Sequence, residues 1–284
     1  MKNFFYLAVL LAAISCNSNA NEPDPALIAK YQSPFGADTV EVKLKKVTYN
    51  GNLLMEYVYS KGYLTGFKKY VAFSKPRFFS TGTFTRNAGV AEKFEVLVAE
   101  SRPETEYVAD KQDPRKTFQF AVPLTDSTRK VSEQDFFTSA TLDKTYKFNK
   151  QGYFTEQSVS SSTGDSYVVN YTRDSENNVD QTWKVKKSQT LKTDLVDYEY
   201  DAHPNPFYSL GIDWEGDFSN YAISPNNISK ETVYNAENRG LKSTFVYEYL
   251  PNGYPKKITI TRGFITVDGV EQTAKPIVLL LEYY

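Results

Sequence analysis

Tyr57-Val58-Tyr59-Ser60-Lys61-Gly62-Tyr63, Tyr146-Lys147-Phe148-Asn149-Lys150-Gln151-Gly152-Tyr153 and Tyr247-Glu248-Tyr249-Leu250-Pro251-Asn252-Gly253-Tyr254 share one form: aromatic, any residue, aromatic, a short polar turn, then Gly-Tyr. Each reads as a β-hairpin. Side chains alternate along an extended segment, so the paired aromatics fall on one face of the incoming strand. Glycine supplies the positive φ that the turn demands, and the tyrosine after it starts the return strand against them. A fourth start, Tyr198-Glu199-Tyr200-Asp201, runs instead into Ala202-His203-Pro204-Asn205-Pro206-Phe207. Proline has no N–H for a ladder, so the strand must leave the sheet there. The segment from Pro204 to about Ser229 is then the longest irregular excursion, and loops of that length usually carry function or disorder.

Between these hairpins lie short segments with period-two alternation: Val40–Leu44, Phe94–Val98, Phe118–Val122 and Thr182–Lys186. They read as strands with one buried face. Composition agrees, because 22 Tyr and 19 Phe stand beside only 2 Met, 2 Trp and 1 Cys, the balance of half-buried sheet. The expected fold is all-β, a large antiparallel meander that curls into a half-barrel or open sheet. The lone cysteine is spent at the N-terminus, so this core must hold by packing without a disulfide.

The chain opens with Met1-Lys2-Asn3, an apolar run from Phe4 to Ile14, then Ser15-Cys16 and a polar tail. This is the layout of a secretory signal peptide, and Ala13-Ile14-Ser15-Cys16 resembles a bacterial lipobox, in which the cysteine is lipidated before cleavage. Alanine stands at Ala13 where leucine is commonest. The alternative is cleavage after Ala20, with Cys16 discarded. The expected organisation is a leader over 1–15, a lipidated tether over 16–38 with one helical turn near Ala26–Lys30, and a β domain over 39–284 with a division near 140. The longest later apolar run, Ile277–Leu281, is far short of the roughly 20 residues of a spanning helix. Attachment to the membrane is therefore expected through lipid, which with two or more acyl chains is stable.

Tyr198–Phe207, Ser224-Pro225-Asn226-Asn227-Ile228-Ser229 and Tyr247-Glu248-Tyr249-Leu250-Pro251-Asn252-Gly253-Tyr254-Pro255-Lys256-Lys257-Ile258-Thr259-Ile260 resemble uncharacterised Bacteroidetes-type lipoproteins whose domain is described as a porin-like β fold. The resemblance covers about Tyr146 to the C-terminus; Val40–Ser139 matches it less well. It implies an exported, outer-membrane lipoprotein, periplasmic or surface-exposed, and it implies no activity. Asp126-Ser127-Thr128 and Asp38-Thr39-Val40 resemble the short O-glycosylation acceptor of that group.

With 33 basic and 34 acidic residues, both signs interspersed, no field steers nucleic acid, which is excluded as a partner. His203 is the sole histidine, and no G-x-S-x-G elbow exists to serve it, so it reads as an exposed loop residue rather than a catalytic base. One His and no free Cys cannot build a zinc site, and no cofactor motif is present. Asp213-Trp214-Glu215-Gly216-Asp217 is the densest acidic cluster. Alternation would align Asp213, Glu215 and Asp217 for Ca²⁺ or for acid/base work on a sugar, although the spacing fits neither an EF-hand nor a glycosidase motif. A solvated acidic loop is the simpler reading. Trp214, Tyr208, Phe218 and Tyr221 could form an aromatic platform for a glycan, or a plug closing the end of the sheet. Asp165, Asp174, Glu176 and Asp180 read as hairpin-turn residues.

The expected function is a non-enzymatic binding or interaction module of the cell envelope, its ligand a glycan, a lipid or an envelope protein. Candidate ligand residues are Trp214, Asp213, Glu215, Asp217, Tyr208 and Tyr221. An envelope structural or assembly protein and a carboxylate-dependent glycan hydrolase are the alternatives. An aromatic, open concave face favours binding; an apolar, filled one favours structure.

Overall fold

The computed structural model describes residues 42–71, 77–87, 90–101, 107–120, 128–188, 191–210, 221–234, 240–265 and 270–284. Its strands are β1 (Leu44–Tyr49), β2 (Asn52–Ser60), β3 (Tyr63–Val71), β4 (Arg77–Asn87), β5 (Val90–Ser101), β6 (Tyr107–Phe120), β7 (Thr128–Asp135), β8 (Ala140–Phe148) and β9 (Phe154–Ser161). There follow β10 (Tyr167–Arg173), β11 (Val179–Lys186), β12 (Lys192–Pro204), β13 (Asn226–Tyr234), β14 (Gly240–Tyr249), β15 (Pro255–Ile265), β16 (Glu271–Thr273) and β17 (Ile277–Tyr283). Each strand from β1 to β15 pairs antiparallel with its neighbours in sequence. β15 also pairs with β17, and β17 pairs with β1, with Leu281 opposite Val47 and Leu279 opposite Tyr49. The sheet therefore closes as a 16-stranded barrel, with β16 only extending β15. The antiparallel meander is as expected, but it closes on itself through β17 instead of stopping as a half-barrel or open sheet, because β17 reaches both β1 and β15. Closure is one way a sheet avoids exposed edge strands.

The aromatic-turn-Gly-Tyr units are hairpins, and their glycines have φ of 90° at Gly62 and 85° at Gly152 and Gly253. They resolve into two turn geometries. Lys61-Gly62 is a two-residue turn with φ positive at both positions, whose twist matches that of the strands it joins. The other two are closed identically: the Asn149 and Leu250 amides donate to the Tyr153 and Tyr254 carbonyls at 2.8 Å, and the glycine amides donate back at 2.9 and 3.0 Å.

Phe94–Val98 and Thr182–Lys186 lie in β5 and β11 as expected, and of Phe118–Val122 the described part, Phe118–Phe120, lies in β6. The first described strand begins at Leu44, so Val42 and Lys43 are not in it as expected, while Val40 and Glu41 fall outside the described residues. Asn50-Gly51, with φ of 48° and 84°, sets the first hairpin and places β1 immediately before it. Ala26–Lys30 also lies outside the described residues. Asn226–Ser229, taken above as the end of the excursion, opens β13, whose Asn226 pairs with Pro204. Asp180 is a strand residue of β11 rather than a turn residue.

Among the described residues no second layer covers the outside of this wall, so its buried side chains face the lumen. Along β5, β6 and β8 they include Phe94, Val96, Phe118, Phe120, Tyr146 and Phe148. Phe94 is the hub, with ring centroids 4.3 Å from Phe84, 5.7 Å from Phe118 and 6.0 Å from Phe67. Each such ring contributes about 1.5–3 kcal/mol by leaving water. Gly82 makes the cluster possible, because a Cβ there would stand 2.3 Å from Phe67 and 2.6 Å from Phe94.

The outer face is polar. Directly opposed Lys–Glu pairs cross neighbouring strands at Lys46–Glu56 (3.2 Å), Lys147–Glu156 (2.7 Å), Lys230–Glu199 (2.6 Å) and Lys257–Glu248 (2.7 Å). These lie on β1/β2, β8/β9, β12/β13 and β14/β15, spread around the wall. Apolar exposure there is scattered, as at Val58, Val246 and Leu280. Among the described residues the outer face thus carries charged pairs on four strand pairs, where a lipid-spanning barrel is apolar.

Candidate functional site

The described parts of the excursion between β12 and β13, residues 205–210 and 221–225, form a plug seated in the rim that carries both described chain ends. Asn205 closes it. Its side-chain amide donates to the Tyr221 and Ser224 carbonyls at 2.7 and 2.9 Å, its Oδ1 accepts from the Phe207 amide at 3.0 Å, and its own amide donates to the Pro225 carbonyl at 2.8 Å. Phe207, Leu210, Ala222 and Ile223 are thereby buried in the barrel. Phe207 meets Phe245, Ile258, Ile260 and Leu279 with only about 10 Å³ of space between them. Ser224, fully buried, ties the plug to the wall, accepting from the Val179 amide and donating to the Tyr200 hydroxyl, both at 2.8 Å. Arg173 caps the inner side, stacked 4.8 Å over Phe154, with both terminal nitrogens 3.4 Å from the Ile223 carbonyl.

Above the plug the lumen is open. A cavity of about 480 Å³ has Ile223 among its lining residues and is walled by β9 to β13. Strand alternation and register build its rows. Tyr171 stands opposite Thr182, Thr182 opposite Val196, and Val196 opposite Val233; Tyr198 stands opposite Glu231. The Tyr198 side chain is hydrogen-bonded to Thr182, and burial holds the Tyr171 and Tyr198 hydroxyls protonated, well above the usual phenol range. At the mouth Lys184 lies 4.1 Å over the Tyr167 ring and 3.6 Å from Asp194. Asp194 and Leu195 together oppose Trp183, a β-bulge, and Asp194 has φ of 51°. Bulges and left-handed non-glycine residues cluster beside functional sites.

Glu231 is the cavity's distinctive group. It forms no hydrogen bond or ion pair with another described residue, and burial raises its carboxyl above the ordinary glutamate range against the pull of Arg262. The lumen-facing acids on β7 contrast with it. Glu133 is held by Lys144 at 2.6 Å and Lys116 at 3.0 Å, and Asp135 lies 3.8 Å from both Arg115 and Lys116. Those acids are paired at contact distance, whereas Glu231 feels Arg262 without forming an ion pair with it.

Of the residues singled out from sequence, Cys16, Asp213, Trp214, Glu215 and Asp217 lie outside the described residues. Tyr208 is half-buried in the 3₁₀ turn Tyr208–Leu210 of the plug. Tyr221 packs edge-on against Phe245 at 5.4 Å, and its hydroxyl accepts from Arg262 at 3.4 Å. His203 is not an exposed loop residue. It is half-buried at the end of β12, stacked 3.9 Å from Tyr249, whose hydroxyl is bonded to Asp201. The aromatic face of Tyr249 gives the imidazole a packing partner that the prolines did not reveal. Among the described residues no three His, Cys, Asp or Glu side chains converge as a metal site. Tyr167, Tyr171, Thr182, Lys184, Asp194 and Glu231 escaped the sequence reading. Their inward alternation was legible strand by strand, but the pairing that gathers five strands around one space was not.

No family model matches the chain, and no curated protein matches it. Solved structures do. A porin-like protein from Bacteroides uniformis aligns with a TM-score of 0.38 and 12% identity, covering 76% of this chain and 95% of that one. A porin-like protein from Bacteroides vulgatus aligns with the same TM-score and identity, covering 85% and 99%.

Proposed function

We propose that this chain is a non-enzymatic binding module of a bacterial cell envelope, lipid-anchored through Cys16, whose barrel stands in water and receives a small molecule in the lumen above its plug. The observation that carries this reading is the contrast between the barrel's faces: charged pairs on the outside, an aromatic lumen filled at one end and open at the other. A cavity of about 480 Å³ falls within the roughly 300–1,000 Å³ of small-molecule sites. A filled lumen would have supported a purely structural role. Hydrolysis calls for two cooperating carboxylates, whereas Asp194 is engaged with Lys184 and leaves Glu231 alone.

Cysteine chemistry tests both parts of the reading. Cys16→Ala should move the protein from the membrane fraction to the soluble one; unchanged fractionation removes the anchor. In membranes carrying the otherwise native chain, Thr244→Cys on the outer face of β14 should react with a water-soluble maleimide. Protection that detergent relieves would put the wall in lipid and overturn the reading.

A further inference from the structure

We infer that the lumen cavity binds a neutral, polyhydroxylated ring, a sugar or short oligosaccharide, with Glu231 as the anchoring hydrogen-bond acceptor and the tyrosines of β10 and β12 as the faces against which the ring lies. This rests on the reading of the cavity as the binding site and adds the class of ligand.

The lining decides between ligand classes. An acyl chain would strip water from Lys184, Asp194 and Glu231 and return no hydrogen bond, which costs heavily for charged groups. An anion meets two carboxylates, of which only Asp194 has a cation paired to it. A cation meets the ammonium of Lys184, which already occupies the Tyr167 face at the mouth. A neutral polyol meets none of these penalties. Its hydroxyls donate to Glu231 and Asp194 and accept from Lys184, while Gln157 and Thr182 serve in both directions. Its C–H faces are apolar and flat, as the rings of Tyr171 and Tyr198 require.

Preorganisation points the same way. Tyr171 is fixed edge-on to Phe154 at 4.7 Å, and Tyr198 is held by Thr182 and by the neighbouring Tyr200 ring at 6.4 Å. The rings lose little freedom on binding, which favours affinity. Glu231 sits directly across the ladder from Tyr198, so one ring can lie on the tyrosine while its hydroxyls reach the carboxylate. The bulge at Asp194 leaves a second acceptor beside Lys184 at the mouth, where the next sugar of a chain would lie.

The test is calorimetric titration of the full chain with neutral di- and trisaccharides, with palmitate and spermidine as the acyl and cationic comparators. At least one saccharide should bind. Glu231→Leu and Tyr198→Ala should each weaken it at least tenfold, Val233→Phe should abolish it by filling the cavity, and Trp183→Ala on the outer wall should leave it unchanged. Thermal unfolding and circular dichroism of each variant identify any that fails to fold; Val233→Phe adds no charge and serves as the second probe. If palmitate or spermidine binds and Val233→Phe abolishes that binding, the cavity stands as the site and the sugar assignment is overturned. If a saccharide binds and all three lumen variants bind it as tightly as the native chain, both the cavity and the assignment fail. Binding of no saccharide overturns the assignment.

Discussion

The hydroxyl of Ser224 donates to the phenol oxygen of Tyr200 at 2.8 Å, and Tyr200 donates in turn to the Val179 carbonyl at 2.7 Å. Because Ser224 also accepts from the Val179 amide, one serine joins the plug to both β11 and β12. Ser224→Ala leaves a buried amide without its acceptor and should cost about 1–3 kcal/mol. Chemical denaturation of Ser224→Ala, Tyr200→Phe and the double variant should show coupling, since the two share a network. Strict additivity would mean that the plug is held elsewhere.

Gly82 borders the Phe94 cluster with no room for a side chain. Gly82→Ala should destabilise by about 1–3 kcal/mol through overpacking. Phe67 could swing aside only by giving up its contact with Phe94, 6.0 Å away between centroids. A melting temperature equal to that of the native chain would show that the ring does so freely.

Gly152 and Gly253 share a backbone conformation that disfavours side chains, and at Gly253 crowding is not the reason for glycine. A Cβ at Gly253 would meet His203 and Pro204 only at ordinary contact distance, yet its φ is 85°. Valine at either position should cost at least about 1 kcal/mol. Gly→Asn should recover part of the loss, because asparagine tolerates positive φ. Equal loss from valine and asparagine would point to sterics instead.

Two glutamates should tilt the pH dependence of stability in opposite senses. The Tyr70 hydroxyl, 2.6 Å from Glu56, and Lys46 hold the Glu56 carboxyl below the ordinary glutamate range. Its contribution is complete above the unfolded value and is lost as pH falls through the lower folded value. Glu56→Gln should flatten that acid limb. Burial raises Glu231, so its ionisation in the folded state opposes folding as pH rises through and beyond the ordinary glutamate range. Glu231→Gln should therefore raise the melting temperature at neutral pH, as substitutions at binding sites often do. A lower melting temperature would show that the carboxylate has a structural partner.

The local elements were legible because their causes are local. Alternation in β5, β6 and β11 and the positive φ at Gly62, Gly152 and Gly253 depend on residues within a few positions of one another. Pro204 likewise ended β12 where its missing N–H said it must. The sequence thus determined an antiparallel meander of hairpins with one long break. Closure was decided by β17 meeting β1, a contact between residues such as Leu281 and Val47 at opposite ends of the chain, about which no local pattern speaks. The functional cavity was decided the same way. Tyr198 and Glu231 are separated by the whole plug in sequence and stand opposite each other only because β12 and β13 pair across it. Direction along a strand follows from adjacent residues; which strands share a space follows from register and closure, and these are properties of the assembled barrel.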